Sequence, residues 1–285
     1  MSSKIHLITF ASDAFRRMGQ ALGIVSIHRG FDSFYLYDPN DYQEDFKIRN
    51  LETLSLSRGG GYWLWKPHII LMATQRYAEG ELIFYLDSGA LPRRPSAEYK
   101  LLITDTRIHV WAEEASRIQT WTDPNVILAF GKKSEHAASP MIWAGAIVAK
   151  NSQLLERFAQ YWLKVCEEPR MLRPETANEY VKKPGFIWHR HDQSILSLIV
   201  AEYPEWFVVH SSKNNNPWIQ YFDRHRNFKI KYFLKIRSYP RIRVLRKSAI
   251  DKLPQGIRSA IRERRTLNQN RKLSGEEIRS LKQSY

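Results

Sequence analysis

The sequence predicts an α/β fold with a mostly parallel central sheet, on three observations. Apolar runs alternate with helix-like segments over the first ninety residues. The run "ELIFYLD" (81–87) is continuous rather than alternating. Finally, 43% of the 285 residues are hydrophobic, nine of them tryptophan, which fits a chain able to bury a full core. Strands alternating with helices build parallel sheets, and a continuous apolar run suits a strand covered on both faces.

The elements follow in order. "KIHLITF" (4–10) reads as a first buried strand, and Ser12-Asp13 is placed to cap a helix through about Ile27, with Gly30 as its stop. "DSFYLYD" (32–38) reads as a second strand, closed by Pro39-Asn40. In "LSRGGGYWLWKPHIILMATQRYAEG" three glycines form a loop, Pro67 stands where a helix begins and Gly80 where it ends. "ELIFYLD" is the third strand, and ligands of such sheets bind at the carboxyl ends of the strands. Further on, "SPMIWAGAIVAKN" (139–151) is an apolar strand whose small centre around Gly145 allows close approach of a ligand or backbone. "SQLLERFAQYWLKVCEE" has helical spacing, a helix starts near Asp192, and a strand ends at His210.

Composition bounds the class. Cys166 is the one cysteine, so no internal disulfide forms, which fits a reducing compartment. The N-terminus does not read as a signal peptide, and no run of 18 apolar residues spans a membrane. Residues 1–210 carry 24 Lys+Arg against 24 Asp+Glu, and residues 211–285 carry 20 against 5; the whole net charge of +15 lies in the tail. The expected division is therefore 1–218 as the folded domain and 219–285 as a basic, mainly helical extension.

Four segments carry candidate chemistry. Asp87 ends a buried strand, where a carboxylate is costly unless it is paired or holds a cation; the plain alternative is a turn cap or a pair with Arg93 or Arg94. In "RGGGYWLWKP" (58–67) glycine N–H groups could face an anion bracketed by Arg58 and Lys66, although Trp63 and Trp65 fit core packing better. In "HRHDQS" (189–194) Asp192 could be a helix N-cap, which leaves Gln193 and the histidines unexplained. In "VVHSSKNNNPW" (208–218) His210 could supply a nitrogen ligand and Lys213 a charge for a phosphate.

Together, "GYWLWKP", a strand ending "YLDSG" and "HRHDQSILSL" resemble the GT-A-fold, nucleotide-sugar-dependent glycosyltransferases of bacterial polysaccharide and lipopolysaccharide synthesis. The likeness covers about residues 4–218, and extends more distantly to the retaining transferases of the glycogenin and lipopolysaccharide galactosyltransferase type. It implies one GT-A domain and a donor that is a nucleotide-diphosphate sugar, of UDP type. It further implies a saccharide or lipid-linked acceptor and a divalent cation, Mn2+ or Mg2+. By that resemblance Asp87 and His210 hold the metal, and Asp192 and Gln193 lie by the sugar. Thr9, Ala11 and Ser12 lie by the base, with Arg58, Lys66, Ser88, Gly145 and Lys213 on the donor side. Two residues depart from the pattern: Gly89 stands where a second acidic ligand is expected, and Lys213 sits closer to His210 than the family's lysine does. The Asp192-Gln193 likeness favours retention; for inversion, Glu113 and Glu114 are the base candidates, although they read better as an exposed acidic turn.

The tail segment "YFDRHRNFKIKYFLKIRSYPRIRVLRK" interleaves cations with rings and aliphatic groups, which suits an anionic membrane surface. This predicts a cytoplasmic protein peripheral to the inner face of the membrane. Nucleic-acid binding is the rival reading, and it leaves the neutral first 210 residues without a role.

Overall fold

The structure, a computed structural model, describes residues 3–131, 134–176, 184–211 and 222–224. The chain divides into two compact units, 1–226 and 227–285. The described residues all belong to the first, and the character expected of the tail lies outside them, as does Lys213.

The first unit is built in the expected order. Strand β1 (Ile5–Phe10) is buried along its whole length and leads through a short turn into helix α1 (Arg16–His28). The helix starts without the side-chain cap expected from Ser12-Asp13; instead the Phe15 amide donates to the Ser12 carbonyl. Gly30, at φ +83°, ends the helix in a conformation that favours glycine, and β2 (Ser33–Tyr37) follows. Helix α2 (Trp65–Arg76) contains Pro67 in its first turn, where the missing N–H costs nothing. It leads to β3 (Leu82–Leu86) and the short β4 (Ala90–Pro92). Next come β5 (Ile108–Arg117), β6 (Pro140–Lys150), helix α3 (Gln153–Cys166), helix α4 (Asp192–Glu202), β7 (Phe207–His210) and β8 (Phe222–Arg224).

The central sheet has six strands in the order β2-β1-β3-β6-β5-β7. The pairs β1–β2, β1–β3 and β5–β7 are parallel, whereas β6 runs antiparallel to both its neighbours. Strand β6 lies between β3 and β5 and is the one strand of this sheet that runs against the others. The carboxyl ends of β1, β3, β5 and β7 consequently share one edge, with Ser12, Asp87, Glu114 and His210 along it.

The core is continuous. Ile8, Tyr85, Val110 and Ile147 of the sheet join Ile69 and Ile70 of α2, Phe158 and Trp162 of α3, and Ile195 and Ile199 of α4. Helix α4 is apolar nearly all round because it is buried between β6 and α3. Strand β8 pairs antiparallel with β4 in a separate two-stranded sheet, and Phe222, 1% exposed, contacts the rings of Phe84, Tyr99, Trp111 and Trp143. The packing of the first unit thus includes Phe222, beyond residue 218.

Two expectations are corrected at this level. Strand β5 is absent from the sequence reading, and Glu113-Glu114 lie within it rather than in an exposed turn. Glu113 is buried and takes an ion pair from Arg190.

Candidate functional site

The site forms where the first turn of α2, the end of β3 and the start of α4 meet. Lys66 is carried there by an unusual approach: Gly59, Gly60, Gly61, Tyr62 and Trp63 all have φ between +56° and +92°. Such a run is tolerable because three of the five are glycine. A Cβ on Gly61 would come within 2.9 Å of the Leu54 Cα, and the Trp65 indole donates to the Gly59 carbonyl, fixing the turn. Trp65 stacks on Phe10 at 4.0 Å, confirming its core role. The amides of Gly60, Gly61 and Tyr62 donate to the carbonyls of Ser57, Leu56 and Arg58. They are spent on the loop itself, and the expected anion cradle of glycine amides is not formed.

Lys66 is 3% exposed, and its ammonium lies 2.7 Å from Asp192 Oδ2 and 3.5 Å from Asp87 Oδ1. It also donates to the Ala144 carbonyl at 3.1 Å. The contact with Asp192 is a close ion pair between two enclosed groups. Asp87, one residue past β3, receives the Tyr85 hydroxyl and is tied through its own amide to the Gly145 carbonyl at 2.8 Å. Asp87 therefore pairs with Lys66 and Tyr85 rather than with Arg93 or Arg94; Arg94 pairs with Glu98.

The electrostatics follow from one buried ammonium between two carboxylates. Burial raises the Asp192 carboxyl to about 6, against the pull of Lys66 and with a further push from Asp87. Burial also disfavours the Lys66 charge, but Asp192 and Asp87 outweigh it and hold the lysine above its ordinary value. Burial, and then Asp87, push the Tyr85 phenol well up, so it remains a donor. Asp192 is the first residue of α4, not its cap; His191 holds that position. Gln193 is half-buried, and its Nε2 has no partner among the described residues.

The other expected residues fall out differently. Thr9 is fully enclosed, its hydroxyl without a partner among the described residues, and Ala11 is 2% exposed; of the three nucleotide-side candidates Ser12 alone reaches the surface. Ser88 lies in the half-buried turn after Asp87. The space over Gly145 is filled by the Trp143 indole, whose atoms stand 2.2–2.4 Å from where a Cβ would be, so the close approach there is internal rather than to a ligand. Gly145→Ala is expected to displace Trp143 and destabilise the fold by about 1–3 kcal/mol; urea unfolding read by tryptophan fluorescence checks this.

The metal assignment does not fit. His210 Nε2 lies 2.9 Å from His109 Nδ1, and the ring stacks on Trp111. Burial lowers both histidines, His109 to about 4, which keeps the pair neutral. Asp87 shares its carboxylate with an ammonium, and Gly89 supplies no second one. Among the described residues no group of three or more His, Cys, Asp or Glu converges to hold an ion.

Two parts of the site are missing from the sequence reading. Tyr85, inside an apolar run, gives no polar signal, and the Arg190–Glu113 ion pair joins residues 77 apart in sequence. Arg190 also lies 3.9 Å over the Trp121 ring.

No family model and no curated protein matches the chain. Among solved structures it is similar to a galactosyltransferase in complex with donor and acceptor sugar analogs, at 14% identity, with 73% of each chain covered and a TM-score of 0.41. It is also similar to mouse xyloside xylosyltransferase 1, at 12% identity over 74% of this chain and 86% of that one, with a TM-score of 0.40. A third similar structure is a glycosyltransferase involved in glycosylation of the major capsid of PBCV-1. There the identity is 12%, covering 79% of this chain and 94% of that one, with a TM-score of 0.39.

Proposed function

We propose that the chain is a glycosyltransferase that moves a sugar from a nucleotide-diphosphate donor, of UDP type, to a saccharide or lipid-linked acceptor with retention of configuration. One observation carries this: a buried ammonium bridges Asp87 and Asp192 at the carboxyl edge of the sheet, bringing "GYWLWKP", "YLDSG" and "HRHDQS" to a single point. In the reaction the bond from the anomeric carbon to the diphosphate oxygen breaks, and a bond from the acceptor oxygen forms. Same-face transfer lets the departing phosphate take the acceptor's proton, so no separate base is needed. Asp192 and Gln193, whose enclosed Nε2 has no partner among the described residues, are suited to an electron-poor sugar ring and its hydroxyls. Glu113 is committed to Arg190, which favours retention over an inverting route that uses it as base.

A panel of nucleotide sugars tests the proposal, with binding and slow hydrolysis measured with and without manganese on the wild type and on Asp87→Ala. One donor is expected to bind and hydrolyse, and the variant to lose most of both; a chain that binds none, with an identical variant, would sink the reading.

No helix among the described residues is long and apolar enough to cross a membrane. The basic residues of 227–285 support attachment to an anionic cytoplasmic surface, at about 1 kcal/mol for each cation near the headgroups.

A further inference from the structure

His191 is a histidine in a glycine's place. Its φ and ψ are +50° and −120°, and the Gln193 amide donates to the Arg190 carbonyl at 3.0 Å. These are the features of a type II′ turn, whose first central residue is ordinarily glycine. A side chain there costs about 1–3 kcal/mol, and such strain persists where the side chain has work to do.

The imidazole is 1% exposed and both its nitrogens are engaged. Nδ1 lies 2.9 Å from the Leu172 carbonyl, which can only accept, so Nδ1 carries the proton. Nε2 is then an acceptor, and the Arg58 Nε–H donates to it at 2.9 Å. Glu175 Oε1, at 3.8 Å from the same nitrogen, is too far to compete. Burial lowers this histidine to about 4, with the Leu172 carbonyl opposing and Arg58 assisting, so the acceptor persists at neutral pH. Tyr62 and Trp63 pack around the ring.

The consequence falls on Arg58. Its side chain is exposed, its guanidinium lies 4.9 Å over the Trp188 ring, and its Nη groups make no hydrogen bond among the described residues. A guanidinium held through Nε presents its two Nη groups as a fork matched to phosphate oxygens. The Lys66, Asp87 and Asp192 cluster carries one positive and two negative charges, so a diphosphate beside it needs a cation from elsewhere. We propose that His191 is a positioning residue: its neutral imidazole, together with Trp188, aims Arg58 at the phosphates of a nucleoside diphosphate. This rests on the donor class given above.

The test is a double-mutant cycle on the full chain, with UDP and uridine as probes in calorimetry. Arg58→Ala is expected to weaken UDP binding about 10- to 100-fold and to leave uridine unchanged. His191→Asn keeps a donor for Leu172 and tolerates positive φ, but it loses the acceptor, so it is expected to weaken UDP similarly. The double variant is expected to match Arg58→Ala within about twofold, and His191→Gln, which keeps an acceptor for Arg58, to recover most of the affinity. A thermal melt of each variant separates this from unfolding. If the wild type binds UDP and His191→Asn binds it equally, or the two losses multiply, the positioning role is overturned. If the wild type binds no nucleoside diphosphate, the donor class itself falls.

Discussion

Lys66→Met is expected to abolish sugar transfer and to lower stability together. The substitution keeps the stem of the side chain but leaves two carboxylates, one of them fully enclosed, without their shared cation. Removing one partner of a buried ion pair costs about 3–5 kcal/mol, which for a unit of this size lowers Tm by on the order of 10 °C. Loss of a positioned charge at the reacting centre costs about 100- to 1,000-fold in rate. The pair Lys66→Met with Asp192→Asn tells the two effects apart. It is expected to recover much of the stability, because the stranded charge is gone, and none of the rate. Calorimetric melts and donor hydrolysis measured on the same samples check both; recovery of activity would place Lys66 outside the chemistry.

The second large effect is on pH. Asp192 binds its proton more tightly in the folded chain than the ordinary 3.8, at about 6. Its stabilising contribution is therefore fully present below about 3.8 and is lost as pH rises through about 6, a change worth about 3 kcal/mol. In the proposed reaction activity moves the other way, because a carboxylate facing developing positive charge must be ionised. The kcat/KM profile is expected to show an acid limb near 6, and stability to decline across the same interval. Asp192→Asn is expected to flatten the stability profile between about 4 and 6 while removing activity. A wild-type stability curve that does not differ from that of the variant over this interval would contradict the assignment.

Much of the fold is legible in residue order alone, because strands such as 82–86 are uninterrupted apolar runs and glycines and prolines mark the turns between them. Strand β5 is not: His109, Glu113, Glu114 and Arg117 break its pattern, and what makes it a strand is pairing with β6 and β7, which begin 23 and 90 residues beyond its end. Of the site, Lys66, Asp87 and Asp192 stand out as charges set against apolar sequence, and they do meet. His210 fails for a reason no local pattern contains, since its partner His109 comes from β5. Tyr85 is hidden because a tyrosine in a buried run looks like core until its hydroxyl is placed. His191 is visible as an odd residue but not as a strained one, since backbone angles leave no trace in composition.

The strand Phe222–Arg224 separates two boundaries that composition merges. Charge changes character near residue 211, yet packing does not end until after Phe222. A chain shortened at 218 would lose more than its cations. It would pull an aromatic ring from beneath Trp111 and Trp143 and strip the partner from the strand that follows Asp87. Loss of activity in such a chain would then include a packing defect, and a cut after Arg226 is the one that spares the β4–β8 pair.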